Sequence, residues 1–91
     1  MTNEEYGKKF KEILDEMYSL TMSKHSDYGD DVVFSMGMKM RFADIFRKYE
    51  RLKAIIWDEK SIKVSDETLR DTFIDLAVYC IIAIMQMELD K

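Results

Sequence analysis

Proline is absent from this 91-residue chain, glycine occurs three times, and cysteine, histidine and tryptophan occur once each. With no proline the strongest helix breaker is missing, and so little glycine leaves few places for left-handed turns, so a sheet-rich or disordered chain is disfavoured and helices are expected. One cysteine can build neither a disulfide framework nor a cysteine metal site. In its apolar surroundings Cys80 reads as a small hydrophobe, which suits a reducing compartment. The lone His25 has no second histidine for a metal or acid–base pair and reads as a solvated imidazole. The net charge is −4 and the basic residues are not massed in one run, which argues against wrapping duplex DNA, although a local basic stripe stays open. The N-terminus MTNEEYGKKF has no apolar h-region. The longest uninterrupted apolar run falls short of the ~18 residues of a membrane-span candidate. Neither a signal peptide nor a membrane span is expected, and the expected location is cytoplasmic.

What the chain does have is 47% hydrophobic and 35% charged residues. It reads as one all-α domain over residues 1–91, a helical bundle of three main helices. A chain this short buries only a little over ~60% of its unfolded surface, so a dimer or tetramer is expected to complete the core.

Thr2 followed by Glu5 has capping-box spacing, which places a helix from about Asn3 to about Ser23 with Tyr6, Phe10, Ile13, Leu14, Met17 and Leu20 on a core stripe. Lys24 to Asp31 clusters turn formers around Gly29 and reads as a loop of functional character. Val32 to Met36 is expected to form a short helical turn. From Met38 to about Trp57, Phe42, Ile45, Phe46, Tyr49, Leu52 and Ile56 share one face of a second helix, and Arg41, Asp44, Lys48 and Arg51 run along its edge. That edge is either a groove wall or a solvated face laced with intrahelical ion pairs. Residues 57–64 are an exposed connection. Ser65 has the character of an N-cap, with Asp66 and Glu67 in the first turn of a third helix.

The chain is organised around that third helix. At about 100° per residue, Glu67, Asp71, Asp75 and Tyr79 form one slowly drifting ridge, and Leu69, Phe73, Leu76, Cys80, Ile84 and Met87 form the opposite, core-facing one. Asp75 lies among Val78, Tyr79 and Ile82, and a carboxylate there needs a cation, hydrogen-bond donors, a metal or a ligand. Antiparallel packing of short-linked helices brings the Arg41, Asp44, Lys48 and Arg51 edge against the acidic ridge. Such a cleft suits a nucleotide: cations hold phosphate, carboxylates accept from ribose or base, and a tyrosine offers a stacking face. The same acids can hold magnesium together with substrate phosphates, Glu67, Asp71 and Asp75 being the metal candidates.

The strings KHSDYGD, RFADIFRKYERL and SDETLRDTFIDLAVYCIIAI resemble the nucleotide modification associated domain family, type 1, over roughly Lys24 to Leu89. The elements that carry this are Asp27-Tyr28-Gly29, the Arg41/Asp44/Lys48/Arg51 series and the run from Asp71 through Asp75 to Tyr79. The family is frequent in phage genomes and is similar to the MazG-like all-α nucleoside triphosphate pyrophosphatases. Those enzymes bind magnesium with E-x-x-E and E-x-x-D helices, commonly as dimers or tetramers. Here the second helix has no E-x-x-E and the last helix spaces its acids by four. The resemblance implies a small nucleotide ligand handled by a homo-oligomer, through modified-nucleotide chemistry or, as an anti-defence protein in a host cytoplasm, sequestration of a nucleotide signal. Lys24, Asp27, Tyr28, Arg41, Asp44, Lys48, Arg51, Asp71, Asp75 and Tyr79 are its candidate ligand contacts. Two alternatives stand beside this reading. One is a magnesium-dependent nucleotide pyrophosphohydrolase, and the other is a protein-interaction module using the eight methionines and the apolar helix.

Overall fold

A computed structural model describes residues 1–34, 37–61 and 67–89, and the side chains of these residues apart from 27–34. The protein is all-α, with three main helices and no strand among the described residues. Its residues fall into two compact units, Met1–Val33 and Phe34–Lys91.

The first unit is essentially one helix, α1, Asn3–Phe34. Thr2 starts it as the capping-box spacing predicts: its hydroxyl oxygen accepts from the Glu5 N–H at 3.1 Å and its carbonyl from the Tyr6 N–H at 2.9 Å. The loop expected over Lys24 to Asp31 is helical instead. Gly29 costs a helix only about 1 kcal/mol and each aspartate less, and none of them removes a backbone donor as proline would. Val32 to Phe34 end α1 and form no separate turn, and Ser35 and Met36 lie outside the described residues. The stripe expected to be plain core is open to solvent at Tyr6, Phe10, Leu14 and Leu20, where the Tyr6 and Phe10 rings stack with centroids 6.2 Å apart. Lys11 and Asp15 pair at 3.1 Å on its surface.

The second unit holds α2, Gly37–Leu52, and α3, Leu69–Leu89. Gly37 opens α2 with φ +69°, a left-handed backbone that glycine adopts without the steric cost of a Cβ. Beyond Leu52 the chain widens into a π-helical turn, Lys53–Trp57. It closes where the Asp58 N–H donates to the Lys53 carbonyl and the Lys60 N–H to the Ala54 carbonyl, each at 2.9 Å. Glu59 stands between them at φ 53°, and Lys53 reaches forward to Asp58 at 3.1 Å. The expected helix to Trp57 is therefore helical throughout, with its last turn loosened.

Thr68 caps α3. Its hydroxyl oxygen accepts from the Asp71 N–H at 3.0 Å, and its own N–H donates to Asp71 Oδ2 at 3.0 Å, a reciprocal capping box. The predicted cap Ser65, with Asp66, lies outside the described residues, and Glu67 precedes the helix instead of sitting in its first turn.

α2 and α3 pack antiparallel, since Arg41 meets Tyr79, Lys48 meets Asp75 and Arg51 meets Thr72. The contact reverses the usual arrangement. Arg41, Thr72 and Gln86 are buried, whereas Phe42, Phe46 and Tyr49 of α2, Ile56 of the π-helical turn and Leu69, Phe73, Ile84 and Met87 of α3 are exposed. The core-facing ridge expected of α3 thus faces away from its own chain's helix pair. Leu52 is the one apolar side chain buried in this unit among the described residues. α3 is, by length and composition, long and apolar enough to cross a membrane, its most apolar window having a mean hydropathy of 1.7. Reading only uninterrupted runs missed this because Asp75 and Gln86 both break the run.

Candidate functional site

The polar seam follows from two matched spacings. On α2, Arg41, Asp44, Lys48 and Arg51 recur at three, four and three residues; on α3 and its cap, Thr68, Thr72, Asp75 and Tyr79 recur at four, three and four. Both are the 3.5-residue repeat that keeps side chains of two packed helices opposite each other along several turns.

Lys48 is the hub. Its ammonium donates to Glu67 Oε1 and lies 3.0 Å from Asp75 Oδ2, with the lysine side chain 12% exposed. Arg51 Nε lies 2.9 Å from Glu67 Oε2 and 3.0 Å from Thr72 Oγ1, and its Nη2 donates to the Glu67 carbonyl at 2.6 Å. The Thr72 side chain is fully buried. Its one hydroxyl proton has two acceptors within reach, Glu67 Oε2 at 2.6 Å and the Thr68 carbonyl at 3.0 Å, and the charged acceptor is the stronger. One carboxylate thereby gathers a lysine, an arginine and a hydroxyl.

These contacts shift the titrations. Burial opposes the charge on Lys48, but hydrogen bonds and attraction from Glu67 and Asp75 outweigh it and raise the lysine above its ordinary value. Burial likewise opposes ionisation of Glu67, and the hydrogen bonds from Lys48 and Thr72, with the charges of Lys48 and Arg51, hold it below the ordinary glutamate value. At the far end of the seam the Arg41 guanidinium lies 5.8 Å from the Tyr79 ring centre and 3.8 Å from Asp44, which Arg47 also approaches at 3.3 Å.

Of the residues expected at the site, Arg41, Asp44, Lys48, Arg51, Glu67, Asp75 and Tyr79 share this seam. Asp71 is placed apart from them, exposed, with its carboxylate on the α3 cap. Glu67, Asp71 and Asp75 therefore do not converge as a metal shell: two meet on Lys48 and one holds the cap. Among the described residues no group of three or more His, Cys, Asp or Glu side chains is placed to hold a metal. Lys24 is exposed on α1, and the Asp27 and Tyr28 side chains lie outside those described. Residue periodicity missed Thr72, although its spacing of three to Asp75 and seven to Tyr79 marks it. A separate apolar groove of about 390 Å³ lies along the π-helical turn between Tyr49, Leu52, Lys53, Ile56 and Trp57.

The family model of the nucleotide modification associated domain 1 matches residues 24–87. The chain belongs to that family. The match spans α2, the seam and nearly all of α3, together with the last part of α1. Comparison with curated proteins and with solved structures gave no match.

Proposed function

We propose that this member of the nucleotide modification associated domain 1 family binds a nucleotide or nucleotide-derived signal at the α2–α3 seam. Lys48 and Arg51 take phosphate, Asp75 and Asp44 accept from hydroxyl or amino groups, and Tyr79 offers a ring face. One observation supports this above the rest. The contact between the two helices holds Lys48, Arg51, Glu67 and Asp75 as partly buried ions, while Phe42, Phe46, Tyr49, Phe73 and Ile84 of the same two helices stay exposed. Partly buried ion pairs give up hydration for little net stability, so their placement here calls for a use beyond holding the helices together.

The exposed faces of α2 and α3 support a second element of the reading, a homo-oligomer that covers them. Exposed patches on monomers seldom exceed a few hundred Å², and half-exposed aromatic residues alone contribute roughly 100 Å² each. On that reading the apolar residues are interior after all, in the assembly.

The test is a thermal-shift and calorimetric panel of linear and cyclic nucleotides, with and without magnesium. Binding by the wild type that weakens about 10- to 100-fold in Arg51→Ala is expected, the range for losing a hydrogen bond to a charged group. Loss of substrate and release of pyrophosphate in the magnesium arm would make the protein a pyrophosphohydrolase. Silence across the panel would sink the nucleotide reading and leave the protein-interaction one.

A further inference from the structure

We propose that the Glu67 carboxylate is a built-in placeholder for the ligand's phosphate, and that the anion subsite is the cradle of Lys48, Arg51 and Thr72 beneath it. The inference rests on the nucleotide reading and deepens it by naming the phosphate position and the group that must leave.

The geometry is that of an anion already bound. Glu67 places one oxygen on Lys48 and the other on Arg51 and Thr72, so two cations and a hydroxyl converge on one planar anion. A phosphate offers the same feature, neighbouring anionic oxygens able to span a lysine and an arginine, with a third oxygen and a second charge to spare. The fully buried hydroxyl of Thr72 adds a neutral donor that serves either anion.

The cradle does not depend on the Glu67 side chain for its shape. With that carboxylate withdrawn, Lys48 is still 3.0 Å from Asp75, and Arg51 still reaches the Thr72 hydroxyl and the Glu67 main-chain carbonyl. Glu67 itself sits before the first residue of α3 and outside the Thr68–Asp71 cap, so its side chain can turn to water without unwinding a helix. Asp75, by contrast, is built into the helix and stays. The two carboxylates thus divide the work: Asp75 fixes the lysine, and Glu67 fills the subsite until a doubly charged oxyanion displaces it. Displacement exchanges one ion pair for another of higher charge, which makes the site discriminate phosphate from singly charged carboxylates.

The experiment is calorimetric titration of the full chain with inorganic pyrophosphate and with a nucleoside triphosphate, in magnesium-free buffer and again with magnesium. The proteins are wild type, Glu67→Gln, Glu67→Asp and the double variant Glu67→Gln/Lys48→Gln, each checked for helix content by circular dichroism. Glu67→Gln is expected to bind pyrophosphate at least tenfold tighter than wild type, Glu67→Asp to fall between, and the double variant to lose the gain. If wild type binds nucleotide but Glu67→Gln binds it equally or more weakly, the placeholder is overturned and the nucleotide reading survives. Weakening confined to the magnesium arm would make Glu67 a metal ligand instead. If no protein in the set binds either probe, both readings fall.

Discussion

Lys48 Nζ and Asp75 Oδ2 lie 3.0 Å apart across the α2–α3 seam, each with most of its side chain removed from water. Asp75 therefore answers its apolar surroundings with a cation from the neighbouring helix. Asp75→Asn is expected to lower stability by about 1–2 kcal/mol, less than the 3–5 kcal/mol for stranding a fully buried ion, because Lys48 keeps Glu67. Melting temperature and nucleotide affinity measured on this one variant separate its roles. A tenfold affinity loss at nearly unchanged melting temperature would assign Asp75 to the ligand; a large melting drop would assign it to the fold.

The seam also sets a pH window. The folded pKa of Glu67 is lowered, so its contribution is present above the ordinary glutamate value of about 4.3 and is lost as pH falls through the lower, folded value. Lys48 is raised, so its contribution is complete below the ordinary lysine value of about 10.4 and is lost as pH rises through the higher, folded one. Thermal melts across pH should show a plateau between these limits and a fall on each side. Glu67→Gln should remove part of the acid limb and, because Glu67 is one of the two carboxylates that raise Lys48, weaken the alkaline limb to what Asp75 alone supports; an unaltered acid limb would show that the native pairing contributes nothing.

Thr68→Ala and Asp71→Ala should each cost about 1 kcal/mol of stability, the usual worth of a helix cap, and leave nucleotide affinity unchanged once the protein is folded. Urea titration with a binding measurement decides this. A selective loss of binding in Asp71→Ala would return that carboxylate to the site.

Light scattering at micromolar concentration is expected to give at least twice the monomer mass of 10.9 kDa. Replacing Phe42 and Phe46, whose exposed rings stack at 6.3 Å, with serine should shift the mass toward the monomer. A monomeric wild type would contradict the oligomer. Recovery in the membrane fraction would identify lipid as the cover for α3 in place of a second copy of the chain.

Much of the seam was legible because helical spacing says which residues share a side. The three-four-three series on α2 and the acids of α3 are enough to set Lys48 and Arg51 against Glu67 and Asp75. Spacing does not say which side is turned inward. Phe42, Phe46 and Tyr49 form a proper apolar stripe, but a stripe records only that something covers it, and the chain's own α3 does not. The continuation of α1 through Gly29 was illegible for another reason: weak helix formers lower the odds of a helix by amounts that a long helix absorbs. The π-helical turn at Lys53–Trp57 carries no residue signature that distinguishes it from an ordinary last turn. Thr72 was overlooked since a threonine inside an apolar helix looks like filler until an arginine is found on its hydroxyl.

The cap on α3 does more than finish a helix. Sliding α3 one turn past α2 in one direction would set Leu76 against Arg51 and Tyr79 against Lys48, which the ions forbid. The opposite slide is chemically plausible, because α3 repeats its own types one turn earlier: Asp71 for Asp75 and Thr68 for Thr72. What withholds this decoy is that Thr68 and Asp71 are already bonded to each other at both ends of the capping box. In the observed alignment the nearest imitation is already engaged in the helix cap, while Glu67, Thr72 and Asp75 make the contacts across the seam.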